Sequence, residues 1–316
     1  MTLILGLDIG GTKSAAVLGD HTGRVLARES GPTPQGPWPE SVAFLMGLLH
    51  AVRPNAEPVT ALGVSCGGPL DSQTGIVHAP PNLPHWDGVP LRALLEAEFH
   101  LPVWVENDAN ATALAEHQWG AGQGTRDMAF LTMGTGIGAG LILNNQLYRG
   151  RHDLAGEIGH ATILPNGPPC LCGKRGCLET LASGTAIGRM GRERTGEPAL
   201  TAHDICARAR AGDPIAQGIL AEAAWHMGIG LANLLQTLNL ERIVLGTLAV
   251  QAGDLLLEPI RASAQAHCWP RVWDGVSIVP AALGNAAQDM AALAVARFAR
   301  ADISSPPQEH GTRTRV

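Results

Sequence analysis

The sequence predicts an α/β protein made of two related halves with a cleft between them. Short apolar strand patterns alternate with helical patterns, and this series occurs twice in the 316 residues. Each series also opens with strands around a glycine-rich turn. At about 150 residues per domain, the length suits two domains. We place them at residues 1–119 and 120–301, with a disordered polar tail at 302–316.

The first half begins with a predicted meander of three strands. Each strand is a short run that ends at turn residues, and four prolines then make residues 31–39 a loop. Helices follow where apolar residues recur at helical spacing. The predicted elements are the strands Leu3–Asp8, Ser14–Leu18, Arg24–Glu29, Val59–Val64 and Val103–Glu106 and the helices Glu40–Val52, Leu91–Phe99 and Ala109–Trp119.

The second half repeats this opening after a boundary at Gly120–Gly124. Two strands surround a glycine-rich turn, a loop-rich segment covers residues 150–176, and helices dominate the remainder. The last helix can pack back on the first domain. The predicted elements are the strands Met128–Met133, Ile137–Leu143, Arg242–Leu245 and Val276–Val279 and the helices Gly184–Thr195, Ala202–Ala209, Pro214–Leu238 and Asn285–Arg300.

The composition narrows the class of protein. Hydrophobic residues make up 45% and charged residues 16%, which excludes a disordered chain and a coiled coil. Lysine and arginine total 22 against 28 acidic residues, so the net charge of −6 argues against a nucleic-acid partner. No apolar run of about 18 residues predicts a membrane span, and the amino terminus lacks the basic segment of a signal peptide. We expect a soluble, cytoplasmic protein.

The segment Gly6–Lys13 places a Gly-Gly-Thr turn between two strands. It is not a P-loop, because the lysine follows the threonine and no helix follows the turn. Backbone N–H groups of such a turn can bind phosphate oxygens, and the preceding acid can hold Mg²⁺. An ordinary glycine hairpin is the alternative interpretation. The candidate nucleotide-binding residues are Asp8, Gly10, Gly11, Thr12 and Lys13.

A second glycine turn lies within Met133–Gly140. Gly134, Gly136 and Ala139 match a loose dinucleotide-binding pattern, but that pattern requires a helix after the glycines, and a strand is predicted here. We interpret Gly134, Thr135 and Gly136 as the counterpart of the first turn. Two such turns can hold a nucleoside triphosphate from both sides of a cleft.

The segment Glu106–Asn110 holds four polar residues where a strand ends and a helix begins. Carboxylates at such strand ends project into the cleft of α/β proteins. Asp108 is the candidate general base, since removing a hydroxyl proton requires a positioned acceptor. The alternative is that Asn107 or Asp108 only caps the helix.

The pattern His160-x9-Cys170-x-Cys172-x4-Cys177 predicts a metal site. Three thiols and one imidazole match a closed, tetrahedral zinc site, and Cys-x-Cys is too tight for a relaxed disulfide. Because protein ligands fill all four positions, the Zn²⁺ would be structural, and a zinc-dependent hydrolase is excluded. Unmetallated surface thiols are the alternative interpretation.

Two carboxylates flank these ligands. Glu157 precedes His160, and Glu179 follows Cys177. A bound Zn²⁺ would fix both carboxylates and the free edge of the His160 ring, and such acceptors suit the hydroxyls of a polyol. Asn82, in a proline-rich loop, is a further candidate. Each of them alone would be an ordinary polar surface residue.

Taken together, these motifs resemble the ROK family of sugar kinases and repressors, within the actin-like ATPase fold. The resemblance runs from about Leu3 to Arg297 and implies two actin-like, ribonuclease H-like domains. Asp8–Thr12 and Leu131–Gly138 resemble the two phosphate motifs. Glu106–Asn110 resembles the catalytic motif, in which Asp108 is the base. By this resemblance the chain forms a homodimer, and its sugar contacts are Asn82, Asn107, Asp108, Glu157, His160 and Glu179.

The chain departs from the family pattern at two places. Family members commonly carry Leu-Gly-Gly-Gly near the adenosine pocket, where this chain has Leu245-Gly-Thr-Leu248. Cys66-Gly-Gly-Pro69 replaces the more usual Pro-Gly-Pro turn near the sugar. The repressor branch carries a helix-turn-helix before the first phosphate motif. This chain begins that motif at Asp8, so we expect the kinase branch.

The resemblance implies an enzyme that uses ATP and Mg²⁺ to phosphorylate the 6-hydroxyl of an aldohexose. Glucose is the expected substrate. An N-acetylhexosamine kinase, acting on N-acetylglucosamine or N-acetylmannosamine, is the close alternative, because only the pocket at C2 distinguishes these sugars. A sugar sensor without turnover is a further alternative, against which Asp108 and both glycine turns argue.

Overall fold

The computed structural model describes residues 2–54 and 58–304. The larger sheet of the first half contains β1 (Leu3–Ile9), β2 (Lys13–Asp20), β3 (Val25–Pro32), β4 (Val59–Cys66) and β8 (Val103–Asn107). Its strand order is β3-β2-β1-β4-β8. The first three strands pair antiparallel, whereas β4 lies parallel to β1 and β8 parallel to β4.

The second half repeats this topology. Its sheet contains β9 (Met128–Leu131), β10 (Ala139–Leu143), β11 (Gln146–Leu147), β12 (Arg242–Leu245) and β13 (Ser277–Pro280). The order is β11-β10-β9-β12-β13, again with an antiparallel meander beside two parallel strands. Each glycine turn therefore joins the first and second strands of its own sheet.

Eleven helices lie within the described part of the chain, and none of them is both long and apolar enough to cross a membrane. The longest begins at Pro214, where the Asp213 side chain accepts the N–H groups of Ile215 and Ala216. The helices are α1 (Trp38–Val52), α2 (Leu91–Phe99), α3 (Asp108–Trp119), α4 (Leu178–Ala182), α5 (Gly184–Thr195), α6 (Ala202–Arg210), α7 (Pro214–Leu238), α8 (Leu248–Ala252), α9 (Asp254–His267), α10 (Pro270–Trp273) and α11 (Ala287–Ser304).

Helices α3 and α11 pack against each other between the two sheets, α11 on the first sheet and α3 on the second. Two glycines allow this close approach. A Cβ atom at Gly63 of β4 would lie 2.1 Å from the Ala292 carbonyl oxygen of α11. A Cβ at Gly140 of β10 would lie 2.6 Å from the Ala113 Cβ of α3. α3 therefore belongs to the first half by sequence but contacts the second sheet directly, which places its amino terminus between the halves.

Several element boundaries differ from the sequence predictions. β3 continues to Pro32 because Lys13 of β2 pairs with that residue, so the predicted loop at 31–39 is shorter. The strands around the second glycine turn are also shorter than predicted, because residues 132–138 form the turn itself. α11 begins at Ala287 after a 3-10 turn and extends through Ser304. The predicted tail is therefore helical at 302–304, and residues 305–316 lie outside the described residues.

Some elements were not predicted at all. A small antiparallel sheet, β5 (Leu70–Asp71), β6 (Ile76–His78) and β7 (Asp87–Val89), lies between β4 and α2. Strands of two or three residues are too short to show an alternating pattern. The helices α8, α9 and α10 were missed as well, and α9 contains Pro259, which is unfavourable inside a helix.

Candidate active site

Two cavities meet at Asp108, the first residue of α3. The crossing-side cavity, of about 460 Å³, is lined by β1, α3 and residues 281–288, where the chain returns from the second sheet to the first. The loop-side cavity, of about 520 Å³, is lined by the loops at 67–70, 81–82 and 153–160 and by the second glycine turn. Asp108, Ala109 and Thr132 line both. Groups bound in the two cavities would therefore be neighbours at Asp108.

The carboxylate of Asp108 is held by the amino terminus of α3. Its Oδ1 accepts the Ala109 N–H at 2.8 Å, and the Asn107 Oδ1 accepts the same N–H at 3.0 Å. Asn107 is the N-cap, as the capping interpretation predicts, and Asp108 binds the same N–H through one of its two carboxylate oxygens. Asp108 is open to the cleft, but the cleft walls displace most of the surrounding water. This desolvation raises the pKa of Asp108, against the lowering effect of the Ala109 N–H, and the charge of Glu157 adds to the rise.

Asp8 lies next to the last residue of β1 and lines the crossing-side cavity together with Asp108. Burial raises the pKa of Asp8 to about 7, and the negative charges of Asp108 and Asp289 add to this rise. A hydrogen bond with Ser65 and the charge of Arg28 oppose it. Burial and the neighbouring negative charges make the ionised form of Asp8 unfavourable, and a bound cation would stabilise it. This fits the predicted position of Mg²⁺.

The first glycine turn is only partly in the cavity. Gly10 lines the crossing-side cavity, and its N–H donates to the Lys13 carbonyl at 3.2 Å. Gly11 lies against the loop-side residue Asn82, since a Cβ at Gly11 would be 2.5 Å from the Asn82 carbonyl oxygen. The side chains of Thr12 and Lys13 are exposed, and neither residue lines the two cavities.

The second glycine turn lines the loop-side cavity with Gly134, Thr135 and Gly136. The Gly134 N–H donates to the Gly136 carbonyl at 3.1 Å, which closes the turn. Glu179 supports it from α4, because its Oε2 accepts the Ile137 N–H at 2.9 Å. One carboxylate oxygen of Glu179 is thus engaged by the turn, which the sequence did not indicate.

The six residues predicted to contact a sugar come together around the loop-side cavity. They reach it from four separate segments: a loop after β6, the start of α3, the segment before the cysteines, and α4. Their side chains are open or partly open to the cavity, and most offer acceptor oxygens, which suits a ligand rich in hydroxyls. The residues are Asn82, Asn107, Asp108, Glu157, His160 and Glu179.

The predicted metal ligands also converge. The ligand atoms of all four residues lie within 4.8 Å of one another. The Cys170 Sγ is 3.5 Å from the His160 Nδ1, and the Cys172 Sγ is 3.6 Å from the Cys177 Sγ. Ligands at about 2.0–2.3 Å from a tetrahedral zinc are about 3.5–3.8 Å apart, so the donor set fits Zn²⁺ in type and spacing. His160 would use Nδ1, and its Nε2, 3.8 Å from the Glu157 Oε2, faces the other way.

Two polar contacts between the halves were missed from the sequence. Glu106 is buried rather than exposed to the cleft, and its Oε2 accepts the Arg149 Nε–H at 2.8 Å. Its Oε1 accepts from the Asn110 side chain at 2.9 Å. Nearby, the Asp153 carboxylate accepts the N–H and the hydroxyl of Ser72, both at 2.8 Å. The sequence does single out Glu106 within a polar segment, but its partner Arg149 lies in a loop whose sequence shows no pattern that would predict the contact.

Glu116 joins the two chain crossings. It is fully buried in α3, and its carboxylate accepts the Ala121 N–H at 2.7 Å, where the chain leaves the first half. The same carboxylate accepts the N–H groups of Ala282 and Leu283, both at 3.1 Å, where the chain returns. One side chain thus connects both covalent links between the sheets.

Comparison with known proteins places this geometry in a family. The family model described as the ROK family matches residues 4–298. The chain belongs to the ROK family. This ROK protein is 36% identical over 300 residues to a glucokinase of Halalkalibacterium halodurans, which covers 89% of this chain and 91% of the relative.

Solved ROK structures share the fold. A ROK hexokinase from Thermus thermophilus superposes with a TM-score of 0.83 at 36% identity, covering 95% of this chain and all of that one. A ROK glucokinase from Streptomyces griseus, solved with glucose and AMPPNP, gives a TM-score of 0.79 at 35% identity, covering 93% and 99%. The predicted class of two actin-like α/β domains is thereby confirmed. ROK members also include a xylose repressor of Bacillus spizizenii, 30% identical over 285 residues, of which this chain covers 73%.

Proposed function

We propose that this ROK protein transfers the γ-phosphate of ATP to the 6-hydroxyl of glucose. Its class, an ATP-dependent hexose kinase, follows from its glucokinase relatives and from the ROK glucokinase that binds glucose and AMPPNP. The observation that carries the proposal is the position of Asp108, which lines both cavities. A hydroxyl in one cavity and a phosphate in the other would meet at this carboxylate.

Asp108 acts as the general base in this proposal. It accepts the proton of the 6-hydroxyl as that oxygen attacks the γ-phosphorus and the β–γ bridging oxygen leaves with ADP. Desolvation, which raises the pKa of Asp108, makes the carboxylate a stronger proton acceptor. General-base catalysis of this kind contributes about 10²–10⁴ in rate, and positioning and charge neutralisation supply most of the remainder.

The crossing-side cavity holds the nucleotide in this proposal. The terminal phosphates would extend past Asp108 towards the loop-side cavity, between the first glycine turn at Gly10 and the second at residues 134–136. Because the Gly10 and Gly134 N–H groups already donate within their own turns, the N–H groups of Thr135 and Gly136 are the candidate donors to phosphate oxygens. Thr12 and Lys13 would contact phosphate from the rim. Asp8 would hold Mg²⁺, directly or through water, and the ion would neutralise charge on the transferred phosphoryl group.

The loop-side cavity holds the sugar. Glu157, Glu179 and the Asn82 side chain would accept or donate hydrogen bonds to its hydroxyls, as would Asn107 and the Nε2 of His160. The Cys₃His zinc site would take no part in the chemical step. Its role would be to fix the positions of His160 and of the loop that carries Glu157. We take residues 1–119 and 120–301 as the domains, with α11 packed on the first.

A panel of sugars tests the substrate. Glucose, mannose, N-acetylglucosamine and N-acetylmannosamine are assayed with ATP and Mg²⁺ by ADP release. We expect kcat/KM for glucose to exceed that for both acetylated sugars by about 10²-fold or more, because a pocket closed around a 2-hydroxyl excludes an acetamido group. Equal or better turnover of an acetylated sugar would favour the N-acetylhexosamine kinase. Sugar binding without ADP release would favour a sensor.

A further inference from the structure

Thr247 occupies a backbone conformation that normally requires glycine. It follows β12 and precedes α8, and its φ of 49° and ψ of −112° lie in a region that side chains disfavour. Threonine is β-branched, so the steric conflict is greater than for most residues. Thr247 is also one of the two positions, with Leu248, at which this chain departs from the Leu-Gly-Gly-Gly pattern. Strain of this kind persists where the side chain makes a compensating contact.

The compensating contact is with the second glycine turn. The Thr247 Oγ1 accepts the Met133 N–H at 2.7 Å and lies 3.4 Å from the Thr132 Oγ1. Met133 is fully buried, so its N–H would lose a hydrogen-bond partner if the hydroxyl were absent. The Leu248 N–H donates to the Met133 carbonyl at 3.3 Å, which gives the turn a second link to the same segment.

Thr247 also faces the site. It lines the crossing-side cavity together with Thr132, which lines both cavities. The Thr247 hydroxyl therefore links the crossing-side cavity to Thr132 and Met133, the first two residues of the second glycine turn. A shift of Met133 would move the backbone N–H groups of Gly134 and Thr135 that follow it.

We propose that Thr247 is a positioning residue for the phosphoryl donor. Its strained backbone presents the hydroxyl to Met133, and this contact holds the second glycine turn in the shape that binds phosphate oxygens. Glycine at this position would relieve the strain but would leave the Met133 N–H without this acceptor, so the turn would no longer be held at Met133. The proposal rests on the assignment of ATP to the crossing-side cavity.

Three variants separate the hydroxyl from the backbone strain. Thr247→Ser keeps the hydroxyl, Thr247→Val keeps the shape and the strain without it, and Thr247→Gly removes both. For each full-length variant we measure the Kd of AMPPNP with Mg²⁺, the KM values for ATP and glucose, kcat, and the urea midpoint of unfolding.

We expect Thr247→Val and Thr247→Gly to raise the Kd of AMPPNP and the KM for ATP by about 5-fold to 10-fold, the usual effect of one hydrogen bond. The KM for glucose should change by less than about 2-fold, and Thr247→Ser should retain wild-type nucleotide affinity. Thr247→Gly should unfold at a higher urea concentration than Thr247→Val, because both variants lose the hydroxyl and only the valine keeps the strain.

Unchanged AMPPNP affinity in both Thr247→Gly and Thr247→Val would overturn the proposal. So would parallel losses of ATP affinity, glucose affinity and stability, since these would indicate a general structural role. If the wild type binds AMPPNP but phosphorylates no hexose, the proposed function fails, and the AMPPNP series still decides the role of Thr247.

Discussion

The carboxylate of Asp108 lies where a sugar hydroxyl and a phosphate would meet, so a change there should affect chemistry more than binding. Asp108→Asn keeps the size of the side chain but removes the proton acceptor. We expect kcat to fall by at least about 10²-fold. The Kd of glucose, measured by calorimetry, should change by less than about 3-fold. Asp87→Asn, at an exposed residue of β7, is the control. Near-normal kcat in Asp108→Asn would show that another group accepts the proton.

Asp8 makes the stability of the metal-free protein depend on pH. Its pKa is about 7 in the folded protein and about 3.9 in an unfolded chain. Between these values the folded state holds a proton that the unfolded state has released, so stability falls as the pH rises. We expect Asp8→Asn to gain on the order of 2 kcal/mol over the wild type between about pH 5.5 and about pH 8.

Urea unfolding without Mg²⁺ at both pH values measures this gain. Asp20→Asn is the control. Burial raises the pKa of Asp20, but hydrogen bonds from Thr22 and Arg24 outweigh that effect and lower it overall. The stability from Asp20 is present above its unfolded pKa and is lost only at lower pH, so its variant should differ from the wild type equally at both values. An equal difference for Asp8→Asn as well would contradict the raised pKa.

At the scale of elements, the cysteine loop tests the structural metal. Purified protein should hold about one Zn²⁺ per chain. Cys172→Ser should lose the metal and raise the KM for glucose more than it lowers kcat, because His160 and Glu157 lose their fixed positions. Leu171→Ala is a matched control, since Leu171 lies between two ligands and its side chain is fully exposed. Active wild-type enzyme without zinc would refute the metal assignment.

The elements also show what sequence patterns can and cannot predict. The positions of the glycine turns, the strand before Asp108 and the convergence of the four Cys and His side chains agree with the sequence prediction, because each is a local pattern. The zinc and phosphate roles of these residues stay predictions. The two-residue strand Leu70–Asp71 was missed because it forms only by pairing with β6. The sequence showed Thr247 only as a departure from the family pattern, whereas its hydroxyl binds a residue 114 positions away. The homodimer and the cytoplasmic location stay predictions from sequence.

At the scale of the whole molecule, Glu116 holds the two crossings together. Glu116→Gln replaces one acceptor oxygen with an NH₂ group that would oppose the N–H groups of Ala121, Ala282 or Leu283. We expect a loss of about 1–3 kcal/mol in the free energy of unfolding, measured in urea. Glu193→Gln, on the exposed face of α5, should change it by less than about 0.5 kcal/mol. Wild-type stability in Glu116→Gln would show that the crossings do not depend on this carboxylate.

Contacts such as this one could not be predicted from the sequence. Glu116 and Ala282 are 166 residues apart, and Glu106 and Arg149 are 43 apart. Neither pair produces a local signal, because the partners of a buried carboxylate depend on how the two sheets face each other. The sequence did predict that two related halves enclose a cleft, and the repeated strand order agrees with that expectation.

The position of Glu116 also limits how the halves can move. The two halves are joined at two neighbouring points, the chain crossings that Glu116 connects. Two such points leave essentially one relative motion of the halves, a rotation about the line that joins the crossings. Atoms near this axis move little for a given rotation, and atoms at the end of a long lever arm move most. The crossing-side cavity borders the axis, so its shape should hardly change. The contact of Ser72 with Asp153 joins the two halves at the loop-side cavity, which Asp153 lines, so rotation that opens this cavity would have to break it. The free energy needed to separate the halves would then affect the affinity for the sugar and hardly affect the affinity for the nucleotide.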